Sequence, residues 1–469
     1  MSYVGSSSPG PASPPKLASV VARRIEDDVL DRALPVGAVV GSEAELLDRF
    51  GVSRAVLREA VRIVEHGGLA RMRRGPGGGL VVAEPRRSAV ATAISVWFSF
   101  VGVTIDEILE AKVPLSTGAC RLAAERIGES GIERLRSRLA ELEARSSLRP
   151  SDVTGLDRLI AGLSRNRAVA LFADALGDIG LSRVAMPRAD GDAADQLAGY
   201  RGVVDAIVAG DAGAAQARMR AVLDTTRARV QDRPQRVPRA STEPDGDGGK
   251  LGERVAAALR DDIEAARWPV GEILGSEAEL IGRYGVSRAV LREAVRILEH
   301  HGALRTKRGP GGGLVVAEPD GAAVVRSAQI ALEFGGVASS DLFEARDILE
   351  VATVALAAER CTPETAETLQ RGLEAERAGK NAAVTFHDLH HMIAEAAGNR
   401  PLMLFIDVLA AITLSHVRPA RRTAEAVAAI SDDANRAHAS ILAAVTAGDA
   451  SLARRRMARH LDAASVALS

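Results

Sequence analysis

The stretch Gly41 to Pro85, GSEAELLDRFGVSRAVLREAVRIVEHGGLARMRRGPGGGLVVAEP, decides the fold because the chain contains it twice. Gly275 to Pro319 reads GSEAELIGRYGVSRAVLREAVRILEHHGALRTKRGPGGGLVVAEP, an offset of 234 residues in a chain of 469. Only nine of the 45 positions differ, most of them mildly. The period is far longer than the unit of a solenoid, so a whole set of domains is duplicated.

Each copy reads as helix, turn, helix and basic wing. Ser42 with Glu45, and Ser276 with Glu279, have the spacing of a capping box that opens a short helix. Gly51-Val52-Ser53 makes the turn, and Ser53 caps a second helix that runs to about His66. On it Leu57, Ala60, Val61 and Val64 share an inward face, while Arg54, Arg58 and Arg62 recur every four residues on the outer one. RMRRGPGGGLVVAEP then supplies a glycine-rich hairpin with Leu80, Val81 and Val82 in its second strand. Upstream, Leu17 to Ala33 and Leu251 to Ala266 have the apolar spacing of amphipathic helices.

Composition agrees with a helical protein. Hydrophobic residues make up 47% but aromatics only 3%, so the core is mostly Ala, Val and Leu. The net charge of −1 does not announce a nucleic-acid binder, but charge is local. Arg54 to Arg74 holds six Arg against Glu59 and Glu65, and Arg288 to Arg308 holds five Arg and Lys307 against Glu293 and Glu299. Two basic patches on a neutral body are the footprint that phosphate binding requires. Cys120 and Cys361 form no CxxC pair, which fits a reducing compartment and buried apolar roles. No run of 18 apolar residues predicts a membrane span.

The expected organisation is mainly α. Residues 1–16, rich in Ser and Pro, read as a disordered tail and not a signal peptide. Winged helix-turn-helix modules occupy 17–85 and 250–319, and helical bundles follow at 86–230 and 320–469. The polar stretch QDRPQRVPRASTEPDGDGG separates the halves as a flexible linker, 231–249.

An α-helix fits the major groove, and its first turns meet base edges. Arg54 and Arg58 stand there, and arginine's planar fork matches guanine O6 and N7 as well as phosphate oxygens. The wing arginines border nearly bare backbone in RGPGGG, which allows close approach to the sugar-phosphate chain or the minor groove. A solvated charged hairpin is the bland alternative. Duplication of cap, turn, arginine stripe and wing at one offset weighs against it. Gly51 to Ile63 is identical to Gly285 to Ile297, so both copies should prefer the same half-site. The expectation is a repeated operator, read by one chain acting as its own pseudo-dimer.

At these residues the chain resembles the GntR family of bacterial transcription regulators. The resemblance rests on Ser42-Glu43-Ala44-Glu45-Leu46, Gly51-Val52-Ser53-Arg54, Arg58-Glu59-Ala60 and Arg74-Gly75, in that order and spacing, and on their counterparts in the second copy. It implies DNA contacts from Ser53, Arg54, Arg58, Arg74 and Gly75, and from Ser287, Arg288, Arg292, Arg308 and Gly309. Ala44 and Ala278 stand where some members carry an Arg, so that contribution to base readout is absent or supplied elsewhere.

The bundles resemble the FCD effector domain of the FadR-type subfamily, which binds small organic acids, often around a metal. In the second half His390, His438 and His460 match its ligand spacing, 48 and 70 residues after the first. The resemblance makes them ligands of a divalent metal such as Zn, leaving a position open for a carboxylate effector. The usual Asp four residues before the first His is Phe386 here, with His387 and Asp388 as neighbouring alternatives. Arg346 matches an Arg that such domains point into the pocket. The competing reading for Arg346 is a surface ion pair with Glu350, four residues on. In the first half Asp157, Tyr200 and Val222 align with the three histidines, and Pro114 should kink or break its helix. A metal-free first bundle is therefore expected.

An enzyme is the weaker reading. Of the five lysines, 16, 112, 250, 307 and 380, none sits in a context for a Schiff base, and no general base is evident beside the histidines unless Asp388 or Glu395 serves. The other class is an architectural DNA-binding protein that needs no pocket. The sequence favours a one-component repressor with an operator and a small carboxylate as partners, and leaves further homo-oligomer formation open.

Overall fold

The computed structural model describes residues 17–73, 75, 78–85, 87–145, 150–183, 190–231, 251–307, 309, 312–378, 382–417 and 424–468. The chain divides into two compact units, Met1–Ala89 and Val90–Ser469.

The first unit holds α1 (Leu17–Asp31), β1 (Val39–Gly41), α2 (Glu43–Phe50), α3 (Arg54–His66), β2 (Ala70–Arg73) and β3 (Gly79–Val82). Helix α1 packs along α3, and Val21, Ile25, Leu57, Ala60 and Val64 are all buried. The sheet is antiparallel in the order β1-β3-β2, with Ala70 opposite Val82 and Arg73 opposite Gly79. The hairpin was expected; β1 was not. It is three residues long, and its register against β3 shifts between Val39 and Gly41. A strand that short has no alternation to read. Gly79 passes so close to β1 that a Cβ there would lie 2.5 Å from the Gly41 carbonyl oxygen, which makes glycine obligatory at the base of the wing.

The second unit begins within α4 (Arg87–Phe100). It continues through α5 (Ile105–Arg126), α6 (Glu129–Glu143), α7 (Pro150–Leu163), α8 (Arg167–Arg183), α9 (Asp190–Val208) and α10 (Ala212–Gln231). The second winged module follows as α11 (Leu251–Ala265), β4 (Ile273–Gly275), α12 (Glu277–Tyr284), α13 (Arg288–His300), β5 (Leu304–Lys307) and β6 (Gly313–Val316). Its sheet repeats the first, in the order β4-β6-β5. The second bundle comprises α14 (Gly321–Phe334), α15 (Ser339–Arg360), α16 (Pro363–Ala378), α17 (Ala382–Ala396), α18 (Arg400–Val417), α19 (Ala424–Thr446) and α20 (Ala450–Leu468).

The two bundles pack on each other through matched sets of contacts. Asn166 Nδ2 donates to the Asp341 carbonyl (2.8 Å) and to Glu344 (3.1 Å), and Arg126 pairs with Glu344. The mirror set is Asn399 Nδ2 to the Glu107 carbonyl (2.9 Å) and to Glu110 (2.9 Å), with Arg360 on Glu110 at 2.5 Å. Equivalent phenylalanines meet between them: Phe172 and Phe405 stack at 4.2 Å, both fully buried. One apolar cluster, including Phe98, Leu115, Phe172, Leu349 and Phe405, spans both bundles. Each bundle also keeps a cluster of its own, around Tyr200 and Met219 in one and around Ile393 and Leu461 in the other.

One expectation changes. Pro114 does not end its helix: α5 runs from Ile105 to Arg126 with Pro114 inside. Proline removes one backbone hydrogen bond, but α5 packs against α7, α8, α9 and α10, and that burial outweighs the local penalty. The second winged module packs against α4. Val96 of α4 lies in the module's apolar core, Phe100 meets Trp268 edge-on at 5.7 Å, and buried Arg260 donates to Ser95 Oγ at 2.6 Å.

Candidate nucleic-acid interface and metal centre

In both winged modules the local sequence fixes the recognition helix. Ser42 Oγ accepts from the Glu45 amide (3.2 Å), and the Ser42 amide donates to Glu45 Oε2 (2.7 Å). The same box forms at Ser276 and Glu279. Gly51 and Gly285 end the short helices in the left-handed region, φ 60° and 63°, where glycine carries no Cβ penalty. Ser53 and Ser287 then cap α3 and α13 through the amides of Val56 and Val290. At the far end Glu65 accepts from the Met72 amide (2.8 Å) and Glu299 from the Thr306 amide (2.7 Å), tying each recognition helix to its wing.

Arg54 and Arg58 project from the first turns of α3 with about 70% of each side chain exposed, and Arg288 and Arg292 project from α13 with 70% and 58% exposed. One residue not singled out from sequence joins them in each module. Glu43 Oε1 lies 3.3 Å from Arg54 Nε and 3.6 Å from Arg58 Nε, and Glu277 Oε1 lies 3.6 Å from Arg288 Nε and 2.8 Å from Arg292 Nε. Gly75 and Gly309 have φ of 104° and 102° at the wing tips. Arg74 and Arg308 lie outside the described residues.

In the second bundle the three predicted histidines come together. A ligating nitrogen of each of His390, His438 and His460 lies within 4.8 Å of the others, although the residues come from α17, α19 and α20. His438 Nε2 and His460 Nε2 are 3.2 Å apart. Behind them stand two carboxylates that sequence reading did not assign to the cluster. Glu376 Oε1 is 2.7 Å from His438 Nδ1, and Glu350 Oε2 is 2.5 Å from His390 Nδ1. The Glu376 carboxylate hydrogen-bonded at His438 Nδ1 fixes the tautomer that leaves His438 Nε2 as a lone-pair donor. Burial holds His460 neutral, down to about 2, and lowers His438 as well. Burial pushes the Glu350 carboxyl up, but Arg346 and His390 more than offset it and hold it below the usual range. Three imidazoles gathered in front of buried carboxylates suit a divalent cation. Arg346 is not a surface residue: it is buried, and its Nε donates to Glu350 Oε1 at 2.6 Å. The side chains of Phe386, His387 and Asp388 lie outside the described residues.

The first bundle builds something else at the equivalent place. Lys112, at the offset of Arg346, pairs with Asp157 Oδ2 at 2.6 Å, and buried Tyr200 donates to Asp157 Oδ1 at 2.6 Å. Val222 is buried beside this group. A small cavity lies against Lys112, Ser116, Asp157 and Met219. Among the described residues, the His390, His438 and His460 group is the only potential metal cluster.

Comparison with known proteins identifies the domains. The profile of bacterial regulatory proteins of the gntR family matches residues 17–82 and 251–315, and that of the FCD domain matches 107–225 and 341–463. A protein of Escherichia coli K12 named as a regulator of the L-lactate dehydrogenase operon is 31% identical over 221 residues, covering 45% of this chain and 84% of that protein. The transcriptional repressor NanR of Escherichia coli is 29% identical over 231 residues, covering 46% of this chain and 83% of NanR. A Streptococcus agalactiae GntR structure is 25% identical with a TM-score of 0.35, covering 46% of this chain and all of that one. Each relative thus spans about half of the chain. Among the described residues no helix is long and apolar enough to cross a membrane. The chain belongs to the GntR family of transcriptional regulators, as two winged helix-turn-helix domains and two FCD domains in tandem.

Proposed function

We propose that the chain is a cytoplasmic, non-catalytic repressor that reads a repeated operator with both winged modules and releases it on binding a small organic acid. The observation that supports this best is the duplicated recognition helix. Arg54 and Arg58 in one module, and Arg288 and Arg292 in the other, stand exposed on helices of identical core sequence. Ser53, Arg74 and Gly75, with Ser287, Arg308 and Gly309, complete the two contact sets, the serines and wings on the backbone and the arginines on bases. The working boundaries are 17–85 and 250–319 for the modules and 86–230 and 320–469 for the bundles, joined by a linker at 231–249 and preceded by a tail, 1–16.

The effector site is assigned to the second bundle. His390, His438 and His460 would hold a divalent cation such as zinc, with Glu376 and Glu350 orienting the rings. When bound, such an ion supplies a Lewis-acidic position for an effector carboxylate. Arg346, whose Nε is already committed to Glu350, would meet that carboxylate with its terminal nitrogens. The first bundle serves as a metal-free packing partner, in which the Lys112, Asp157 and Tyr200 group takes the place of the arginine and histidines of the second bundle. Pairing of the bundles makes one chain a pseudo-dimer, so operator binding requires no second chain.

Selection of bound duplexes from a randomised library tests the reading. The expected result is two copies of one half-site at fixed spacing, and a library that converges on a single short site would overturn it. Titration of carboxylic acids into the selected complex, with zinc present, should then lower affinity. Affinity indifferent to every acid would favour an architectural role instead.

A further inference from the structure

We propose that Glu43 and Glu277 are the positioning residues that give the recognition arginines their selectivity for bases over phosphates. This rests on the operator-reading assignment above and adds the device that makes the reading selective.

In each module one carboxylate oxygen addresses two arginines. Glu43 Oε1 faces the Nε of Arg54 and of Arg58, and Glu277 Oε1 faces the Nε of Arg288 and of Arg292. In the second module the contact with Arg292 tightens into a hydrogen bond from Nε to Oε1 (2.8 Å) and a weaker one from Nη2 to Oε2 (3.4 Å). The arrangement recurs although nine of 45 positions differ between the copies, among them 47, 48 and 50 on α2 against 281, 282 and 284 on α12. Glu43 and Glu277 are not needed for the caps, which Ser42 with Glu45 and Ser276 with Glu279 already complete.

The chemistry follows from which edge of the guanidinium is used. A carboxylate on the Nε side restrains the long side chain and leaves the opposite, Nη1 edge of the guanidinium to pair with guanine O6 and N7. Side-chain ordering is then begun before DNA arrives, further in the second module, where the contact with Arg292 is a hydrogen bond. The same carboxylate cancels one of the two positive charges at the helix tip, so the pair attracts a phosphate chain less strongly than two bare arginines would. Non-specific binding comes almost wholly from phosphate neutralisation, and it should therefore be held down.

The test uses the full-length chain carrying Glu43→Gln and Glu277→Gln together. Affinity is measured for the duplex selected by the wild-type chain and for poly(dI-dC), across a salt series. The expected result is a selected-to-non-specific affinity ratio about tenfold lower than wild type, with preference lost at guanine positions. The logarithmic salt slope should steepen by up to about 0.9 per module. A second variant, Glu43→Asp with Glu277→Asp, keeps the charge but withdraws the oxygen by one carbon–carbon bond. It should keep the wild-type slope yet still lose part of the ratio, which a purely structural role for these residues would not produce. An unchanged ratio and slope in the glutamine variant, with selective wild-type binding, overturns this inference alone. A wild-type chain that prefers no duplex overturns the operator assignment and this inference with it.

Discussion

Replacing Arg54 or Arg288 by Ala probes both modules with the same perturbation. In the free protein each side chain is about 70% exposed, and its recorded partner is an exposed glutamate at 3.3 or 3.6 Å. Such pairs contribute at most about 1 kcal/mol, so neither substitution should disturb the fold. Any large change in DNA affinity therefore reports a contact with DNA. An arginine that reads a base contributes about 1–3 kcal/mol at its half-site, or roughly a 5- to 150-fold change in Kd. The two recognition helices are identical from Arg54 to Ile63 and from Arg288 to Ile297, so the two single variants should lose similar amounts. Distant sites add, so the double variant should lose the sum, about 2–6 kcal/mol. Fluorescence anisotropy on the selected duplex measures all four proteins at one salt concentration. Equal single losses and an additive double loss are expected. If one single variant binds like wild type, one module is idle and the reasoning fails.

Three further outcomes follow from the second unit. Cobalt(II) should bind the full chain at one equivalent and give an absorption spectrum that His438→Ala abolishes, while a hundredfold excess of ion over Kd should raise stability by about 2.7 kcal/mol. A second equivalent that survives His438→Ala would contradict a metal-free first bundle. Phe405→Ala removes a fully buried ring stacked on Phe172 and should cost about 3–5 kcal/mol in urea unfolding, and a loss below about 1 kcal/mol would show that the paired core is not what holds the bundles together. Burial pushes the Glu107 carboxyl up, but hydrogen bonds from Arg400 and Thr104 more than offset it and bring it down to about 2. Its contribution, at most about 3 kcal/mol and less once solvent screening is counted, is present above pH 4.5 and lost as pH falls towards 2. Glu107→Gln should therefore flatten the acid limb of the stability curve between those values, and an unchanged limb would remove the Arg400 pair as its cause.

What the sequence showed was local chemistry. The capping boxes, the serine-capped recognition helices and the arginine stripe depend on spacings of three and four residues, which a helix converts directly into geometry. The three histidines were legible only through family resemblance, because 48 and 70 residues separate them from the first. The partners that orient them were not. Glu376 and His438 are 62 residues apart and meet only because α16 packs on α19. Glu350 lay in view as a neighbour of Arg346, but whether that pair faced solvent or the site depended on how α15 packs against α17 and α20. The first-half alignment did place Asp157 and Tyr200 at the equivalent site, where they bond to each other. Burial of Val96 in the second winged module, and the continuity of α5 through Pro114, are decided by tertiary packing that no local pattern encodes.

The central claim is that one polypeptide does the work of two. Native mass spectrometry of the chain on the selected duplex, paired with hydroxyl-radical footprinting of the same complex, tests it most directly. The account predicts one chain per duplex with both half-sites protected. Two chains per duplex, or protection confined to one half-site, would contradict it.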